Sequence, residues 1–207
     1  MPEKLPHPLV AVADLSLFGG ETAGLVEAAV RGGVRWALLR AKDIPREELL
    51  KCASTLRERC PGLFISIHGD AEVRSSLELP GLHLPSGRMR SFRACEGGKI
   101  LLGVSCHSLE EALGAVEDGA DYGFLSPLFE PSSKRGFLEP LGVEGFREIV
   151  VRSSLPLYAL GGITADNMEE AFFAGAAGVA VCGALFNSAN VEEAAKKLVG
   201  SAEKVFI

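Results

Sequence analysis

A chain of 207 residues with 47% hydrophobic and 23% charged residues has a globular composition, which excludes a disordered chain and allows one domain with a large core. The net charge of −6 argues against nucleic acid as the main partner, because phosphate backbones attract basic surfaces. No uncharged apolar run approaches the roughly 20 residues that span a bilayer, so we expect no membrane partner.

Five cysteines without a CxxC pair predict reduced thiols. The first residues lack the basic and apolar pattern of a signal peptide. Together these features predict a cytoplasmic protein. The oligomeric state is left open, with a homo-oligomer among the alternatives.

Short, nearly continuous apolar segments alternate with amphipathic ones along the chain. The predicted strands are residues 9–13, 36–39, 63–67, 81–84, 100–104, 122–125, 157–160 and 178–181. The predicted helices are residues 21–31, 45–59, 88–96, 108–118, 164–174 and 191–199, of which 88–96 has the weakest pattern. Eight strands covered on both faces predict an α/β protein, a single (β/α)8 TIM barrel over residues 1–207. A doubly wound open sheet is the alternative, and the strand count favours the barrel.

Polar side chains follow several of these strands, at the end where a barrel carries its active site. Arg40 and Lys42 come after the second strand, and cations at a barrel mouth can pair with an anionic ligand. His68, Ser86 and Ser105 follow the third, fourth and fifth strands. We expect all five to contact the ligand.

Two further polar residues have a structural interpretation. Asp70 stands where it can cap the helix that follows the third strand. His83 lies inside the fourth strand and is expected to be a core histidine with its hydrogen bonds satisfied.

Glycines and a basic loop form the predicted phosphate site. Lys134 lies in the long polar loop after the sixth strand and adds a flexible cation. Backbone groups after the seventh and eighth strands can approach a phosphate closely, namely those of Gly161, Gly162, Cys182, Gly183 and Ala184. Barrels frequently bind phosphate at these two loops. Ordinary tight turns are the alternative.

His107 is the candidate catalytic residue, because imidazole titrates near neutral pH and can both accept and donate a proton. Cys106 precedes it, but adjacent side chains of an extended segment point apart, so a thiol–imidazole dyad is not expected. A histidine that only shapes the start of a helix is the alternative. The sequence shows no metal-ligand spacing and no phosphate-loop or dinucleotide motif, so no metal or cofactor is predicted.

These motifs make the chain resemble the thiamine phosphate synthase superfamily over nearly its whole length. The shared segments are residues 39–43, 83–84, 103–112, 119–122, 129–134, 159–163 and 178–181. The resemblance implies a (β/α)8 barrel that acts in thiamine biosynthesis on small phosphorylated heterocycles.

The resemblance points further to the thiazole tautomerase, or TenI-type, branch. The synthase pattern has Asn-Asp-Arg after the third strand and acidic residues after the fourth, whereas this chain has His68-Gly69-Asp70 and Pro85-Ser86-Gly87-Arg88. Both carboxylate positions that would hold Mg²⁺ are replaced. The branch also uses a histidine at the position of His107, while His68 departs from its usual asparagine.

The sequence therefore predicts an isomerase that aromatises a carboxylated thiazole phosphate without a metal, with His107 moving the proton. General acid–base catalysis of this kind contributes about 10²–10⁴-fold. The first alternative is thiamine phosphate synthase, a transferase that would use Mg²⁺. A non-catalytic barrel that binds thiazole or pyrimidine phosphates is the second. A barrel isomerase of another phosphorylated metabolite is the third.

Overall fold

The chain folds into a closed barrel of eight parallel strands, seen in a computed structural model that describes residues 5–87, 100–130 and 139–205. The strands follow the chain around the barrel, and β8 pairs with β1. They are β1 Leu9–Asp14, β2 Trp36–Arg40, β3 Phe64–His68, β4 Gly81–Leu84, β5 Leu101–Cys106, β6 Tyr122–Leu125, β7 Leu157–Leu160 and β8 Gly178–Val181. The predicted (β/α)8 barrel is confirmed, and each strand lies within two residues of its expected bounds.

Helices cover the outside of the barrel. They are α1 Leu15–Phe18, α2 Thr22–Arg31, α3 Arg46–Arg59, α4 Ala71–Ser76, α5 Leu109–Glu117, α6 Gly142–Arg152, α7 Met168–Phe173, α8 Gly183–Phe186 and α9 Val191–Lys204, with a 3₁₀ turn at Gly19–Glu21. None in the described part of the chain is long and apolar enough to cross a bilayer. The predicted helix at 88–96 lies outside the described residues.

The short helices α1, α4 and α8 are not among the predicted ranges, and two further helices differ from the prediction for local reasons. Helix α6 has no counterpart among the predicted helices, because it starts at Gly142 without a capping side chain and so carries no start signal. Helix α7 begins four residues later than expected. Asn167 holds the preceding turn instead, accepting from the Thr164 backbone N–H at 2.7 Å and donating to the Gly162 carbonyl at 2.9 Å.

Side chains alternate along each strand between the barrel interior and the helical shell. In β3, Ile65 and Ile67 pack in the core cluster under the helices, whereas Phe64 packs in the interior cluster. Trp36 stands at the centre of that interior, with edge-to-face contacts to Tyr122 and Tyr158 at ring distances of 5.0 and 5.4 Å. The interior is thus a packed core, and ligands can enter only at its open rim.

Candidate functional site

The carboxyl ends of the strands form a rim whose β2–β4 side is rich in charge. A cleft of about 800 Å³ opens there. Its lining residues are Arg40, Ala41, Lys42, Asp43, Ile44, Arg46, Leu49, His68, Gly69, Asp70 and Pro85. The structure thus brings together three of the predicted contact residues, Arg40, Lys42 and His68. Ser86 is exposed next to the cleft but does not line it.

Arg40 is held by a carboxylate that the sequence does not identify. Asp14 is the register partner of Arg40 across β1 and β2, and the two side chains form an ion pair. The other oxygen of Asp14 accepts from the Ser16 backbone N–H at 3.0 Å and so caps α1. Asp14 is only 7% exposed, so its carboxylate is shielded from water. The ion pair therefore holds the guanidinium of Arg40 in one position beside the cleft.

Lys42 is exposed and its backbone is anchored. Its carbonyl accepts from the Ser16 hydroxyl at 2.6 Å, and its N–H donates to the same oxygen at 3.0 Å. The side chain is therefore available to a ligand, while the loop that carries it is fixed by main-chain bonds.

The two histidines on this side are both neutral near pH 7. Burial, together with the charge of Arg40, lowers the pKa of His68 to about 4. Burial also lowers the pKa of His83 well below its usual value. His83 is fully buried, and its ring nitrogens lie 3.2 Å from the Tyr122 hydroxyl and 3.1 Å from the Ser105 hydroxyl. The expectation of a satisfied core histidine is confirmed for His83.

Asp70 behaves as predicted. Its carboxylate accepts from the Val73 backbone N–H at 3.0 Å and caps α4, and it also accepts from Arg46 at 2.7 Å. The carboxylate of Asp70 is therefore engaged in holding the loop after β3.

His107 lies exposed at the end of β5 and faces the start of the loop after β6. Its Nδ1 is 2.7 Å from the Ser126 carbonyl, which can only accept, so Nδ1 carries the proton and Nε2 is left for a ligand. Cys106 points the other way, into the core beneath the helices, where burial raises the pKa of its thiol to about 12. The expectation that these two residues form no dyad is confirmed.

The β7–β8 side of the rim is built from backbone. Gly161 and Gly162 have φ values of 99° and 65°, which favour glycine. The segment after β6 packs on them, with the Phe129 N–H donating to the Gly161 carbonyl at 3.1 Å. A Cβ on Gly162 would lie 2.7 Å from the Cβ of Phe129. These two glycines are therefore required by packing as well as available to a ligand.

Helix α8 starts directly after β8, next to this glycine pair. Cys182 precedes it, and the amides of Gly183 and Ala184 belong to its first turn, where no helical carbonyl reaches them. The predicted phosphate-binding backbone is thus gathered at one point of the rim. Lys134, which is predicted to close over it, lies outside the described residues.

The described rim does not fit a magnesium ion. Within residues 5–87, 100–130 and 139–205, no three His, Cys, Asp or Glu side chains lie close enough to hold a metal. Two of the nearby acids have other partners, since Asp14 is paired with Arg40 and Asp70 with Arg46, and Asp43 is the remaining carboxylate of the cleft lining in the described residues. Position 69, where a carboxylate would have been expected, is glycine.

Comparison with known proteins shows the family. Residues 9–185 match the family model described as thiamine monophosphate synthase. The chain is 34% identical over 195 residues to the thiamine-phosphate synthase of Chloroflexus aurantiacus, covering 92% of this chain and 90% of that protein. It is also 34% identical to the thiamine-phosphate synthase of Moorella thermoacetica, covering 92% and 93%.

A solved structure agrees. Thiamine phosphate pyrophosphorylase from Pyrococcus furiosus superposes with a TM-score of 0.84 at 28% identity, covering 96% of each chain.

These relatives correct one prediction made from the sequence. They carry the name of a transferase, and their similarity extends over more than nine-tenths of the chain, whereas the isomerase assignment depended on two short loops. The assignment as an isomerase is therefore wrong, and the relatives support the transferase alternative. The chain belongs to the thiamine monophosphate synthase family and is a barrel enzyme of thiamine biosynthesis.

Proposed function

We propose that the protein is a transferase that joins a thiazole phosphate to a pyrimidine diphosphate, giving thiamine phosphate and diphosphate. In this reaction the thiazole ring nitrogen bonds to the carbon that carries the diphosphate. The carbon–oxygen bond breaks, and diphosphate leaves with the electron pair. Both substrates are anionic, so the enzyme needs two anion sites on one rim.

The observation that carries the proposal is that the rim offers two such sites of different construction. On the β2–β4 side, the cleft is lined by the side chains of Arg40, Lys42 and Arg46. On the β7–β8 side, backbone amides of Gly162, Gly183 and Ala184 lie at adjacent strand ends.

The two sites suit different ligands. The cleft offers three cationic side chains beside the carboxylates of Asp43 and Asp70, and it would hold the diphosphate, whose charge increases as the carbon–oxygen bond breaks. The amides at Gly161, Gly162, Cys182, Gly183 and Ala184 would hold the single phosphate of the thiazole. This arrangement puts both reacting rings over the centre of the barrel.

Three further predicted contacts lie at other strand ends. Ser105 is in β5 and His107 follows that strand directly, whereas His68 is at the end of β3 and lines the cleft. The free Nε2 of His107 would accept a hydrogen bond from the edge of a heterocycle, and Ser105 would donate to an anionic oxygen. Ser86 and Lys134 would contact the ligand from the loops after β4 and β6.

Departure of diphosphate in this family normally depends on Mg²⁺, which lowers the charge on the leaving group. The acids in the described part of the rim do not fit that ion. Arg40, held by Asp14, and Lys42 supply the positive charge that this chain itself brings to the leaving group.

The test is a diphosphate-release assay with the pyrimidine diphosphate and the thiazole phosphate, each alone and together, with and without Mg²⁺. We expect release that requires both substrates, with thiamine phosphate formed in equal amount. Absence of diphosphate under all of these conditions, with folded protein, would refute the transferase.

A second candidate function is a barrel that binds these phosphates without turnover. The observation that favours it is the loss of the carboxylate at Gly69 together with the engaged carboxylates of Asp14 and Asp70. Calorimetric titration separates the two candidates, because this one predicts binding of each substrate and no product.

We also propose a cytoplasmic location, since Cys52, Cys60 and Cys106 are buried free thiols.

A further inference from the structure

A run of polar side chains crosses the apolar centre of the barrel. The Trp36 indole N–H donates to the Ser66 hydroxyl at 2.9 Å, and the Ser66 side chain lies next to the Tyr122 hydroxyl. The Tyr122 hydroxyl lies 3.2 Å from Nδ1 of His83, and Nε2 of His83 lies 3.1 Å from Ser105. We call these five residues the interior hydrogen-bond chain. It ends at Ser105, which is half-buried at the carboxyl end of β5.

Two glycines that face the interior make room for this chain. A Cβ on Gly81 would lie 2.1 Å from the Ser66 hydroxyl oxygen. A Cβ on Gly103 would lie 2.1 Å from the ring of Tyr122 and 2.4 Å from its hydroxyl. Both contacts are impossible for a real side chain, so the missing side chains let hydroxyl groups meet across β4 and β5.

The donor at the far end sets the direction of the hydrogen bonds. An indole N–H donates and cannot accept, so Ser66 cannot return its proton to Trp36 and has it available for Tyr122. Tyr122 then has its own proton left for Nδ1 of His83, which can accept it when the ring proton is on Nε2. Bonds that run in one direction also strengthen each other.

A neutral His83 continues the one-directional series of hydrogen bonds, because it accepts at one ring nitrogen and donates at the other. Burial keeps its ring uncharged, so one ring nitrogen carries a proton and the other accepts. With Nδ1 accepting from Tyr122, Nε2 must carry the proton and donate to Ser105. Ser105 then accepts from Nε2 of His83, and its own proton is free to be donated toward the rim.

We propose that Trp36, Ser66, Tyr122 and His83 are positioning residues. They hold His83 in the Nε2–H tautomer and thereby fix the Ser105 hydroxyl as a hydrogen-bond donor toward the rim. The opposite tautomer would turn Ser105 into an acceptor, which repels an anionic oxygen. The interior of the barrel thus determines the polarity of one group at its mouth.

The first test reads the tautomer directly and does not depend on any activity. Long-range ¹H–¹⁵N spectra of protein labelled at its four histidines distinguish a protonated from an unprotonated ring nitrogen. Variants His7→Gln, His68→Gln and His107→Gln assign the other three signals, which leaves His83. We expect proton on Nε2 only. A proton on Nδ1 of His83 in the wild-type protein would overturn the proposal.

A matched pair of variants tests the role of the Tyr122 hydroxyl. Tyr122→Phe removes the donor to Nδ1, and we expect the His83 signals to become those of mixed tautomers. Tyr158→Phe removes a hydroxyl from a ring in the same cluster, but that hydroxyl donates to the His7 carbonyl at 2.9 Å. It should leave the His83 signals unchanged. Unchanged signals in Tyr122→Phe would contradict the proposal.

The consequence at the rim depends on the proposed function and is tested with inorganic diphosphate as the probe, by calorimetric titration. We expect Tyr122→Phe and Ser105→Ala each to weaken binding about threefold to tenfold, the range for one hydrogen bond. The double variant should bind no more weakly than Ser105→Ala alone, because Tyr122 acts through Ser105.

Two outcomes separate the failures. Additive losses in the double variant would show that Tyr122 acts elsewhere and would overturn the positioning role. Absence of diphosphate binding by the wild-type protein would refute the diphosphate site of the proposed function, while the tautomer measurement would still decide the role of the interior chain.

Discussion

The two sides of the rim, each proposed to bind an anion, are built in different ways. The β2–β4 side uses charged side chains, with Arg40 fixed by Asp14 and Lys42 standing free on an anchored loop. The β7–β8 side uses main chain, with the glycines at 161 and 162 packed under the segment after β6. Side chains can be exchanged without changing the path of the backbone, whereas a backbone site cannot change without disturbing the packing. Substitutions on the first side should therefore alter ligand binding with less effect on stability than substitutions at the glycines of the second side.

The largest expected effect comes from replacing glycines with similar backbone angles on the two sides. A Cβ on Gly69, at φ 75°, would meet nothing within 4 Å, whereas a Cβ on Gly162, at φ 65°, would lie 2.7 Å from Phe129. Gly69→Ala should cost about 1 kcal/mol, for the left-handed conformation alone. Gly162→Ala should cost about 3 kcal/mol, because overpacking adds to it. Urea unfolding measures both, and equal costs would contradict the distinction between the two sides.

The charged side should also carry a pH dependence of stability. The pKa of His68 is about 4 in the folded protein and 6.5 when the side chain is exposed. Between these two pH values the unfolded chain binds a proton at His68 and the folded chain does not. Stability is therefore lost as the pH falls from 6.5 toward 4. The loss due to His68 is about 2 kcal/mol at about pH 5.

His68→Gln removes this titration and leaves His83 in place. We expect the difference in unfolding free energy between the wild type and this variant to change by about 2 kcal/mol between about pH 7.5 and about pH 5. Urea titrations at the two pH values measure it. Parallel pH curves for the two proteins would show that the His68 environment does not disfavour its charge.

The ion pair on the same side should have a smaller effect. Asp14→Asn keeps an oxygen to cap α1 but leaves the half-buried guanidinium of Arg40 without its counter-charge, and we expect a loss of about 1 kcal/mol in unfolding free energy. Asp166→Asn is the matched control, because its pair with Lys197 is solvent-exposed and should contribute nothing measurable. If Asp14→Asn also leaves stability unchanged, the pair does not fix Arg40.

The sequence predicts the barrel well because strands covered on both faces are short apolar runs, and the chain contains eight of them. It also predicts which residues follow each strand, which placed Arg40, Lys42 and His68 on one rim. It does not predict the partner of Arg40. Asp14 is 26 residues away in sequence, and only the register of β1 on β2 brings the two side chains together.

The interior hydrogen-bond chain also cannot be predicted from the sequence, because it too depends on contacts between residues far apart in the chain. Ser66 and Tyr122 meet only because Gly81 and Gly103 lack side chains at inward positions, and a lone glycine in a strand can equally mark a bulge or a tight bend. The assignment as an isomerase failed because two loop motifs were given more weight than the similarity of the whole chain. The two loop motifs show that carboxylates are missing from the site, but they do not show which other groups take over the role of those carboxylates.

The smallest expected effect concerns Lys42, whose ammonium should contribute to diphosphate binding and whose main-chain bonds should contribute to stability. Lys42→Ala removes an exposed ammonium but keeps both main-chain bonds to Ser16, so the unfolding free energy should stay the same. Affinity for inorganic diphosphate should fall about threefold in dilute buffer, and this difference should vanish as salt screens the charge. Lys51→Ala, an exposed lysine on α3 that does not line the cleft, is the control and should bind as the wild type does. Equal losses in the two variants would mean that diphosphate responds to net charge alone, and the cleft would then not be the site that receives the leaving group.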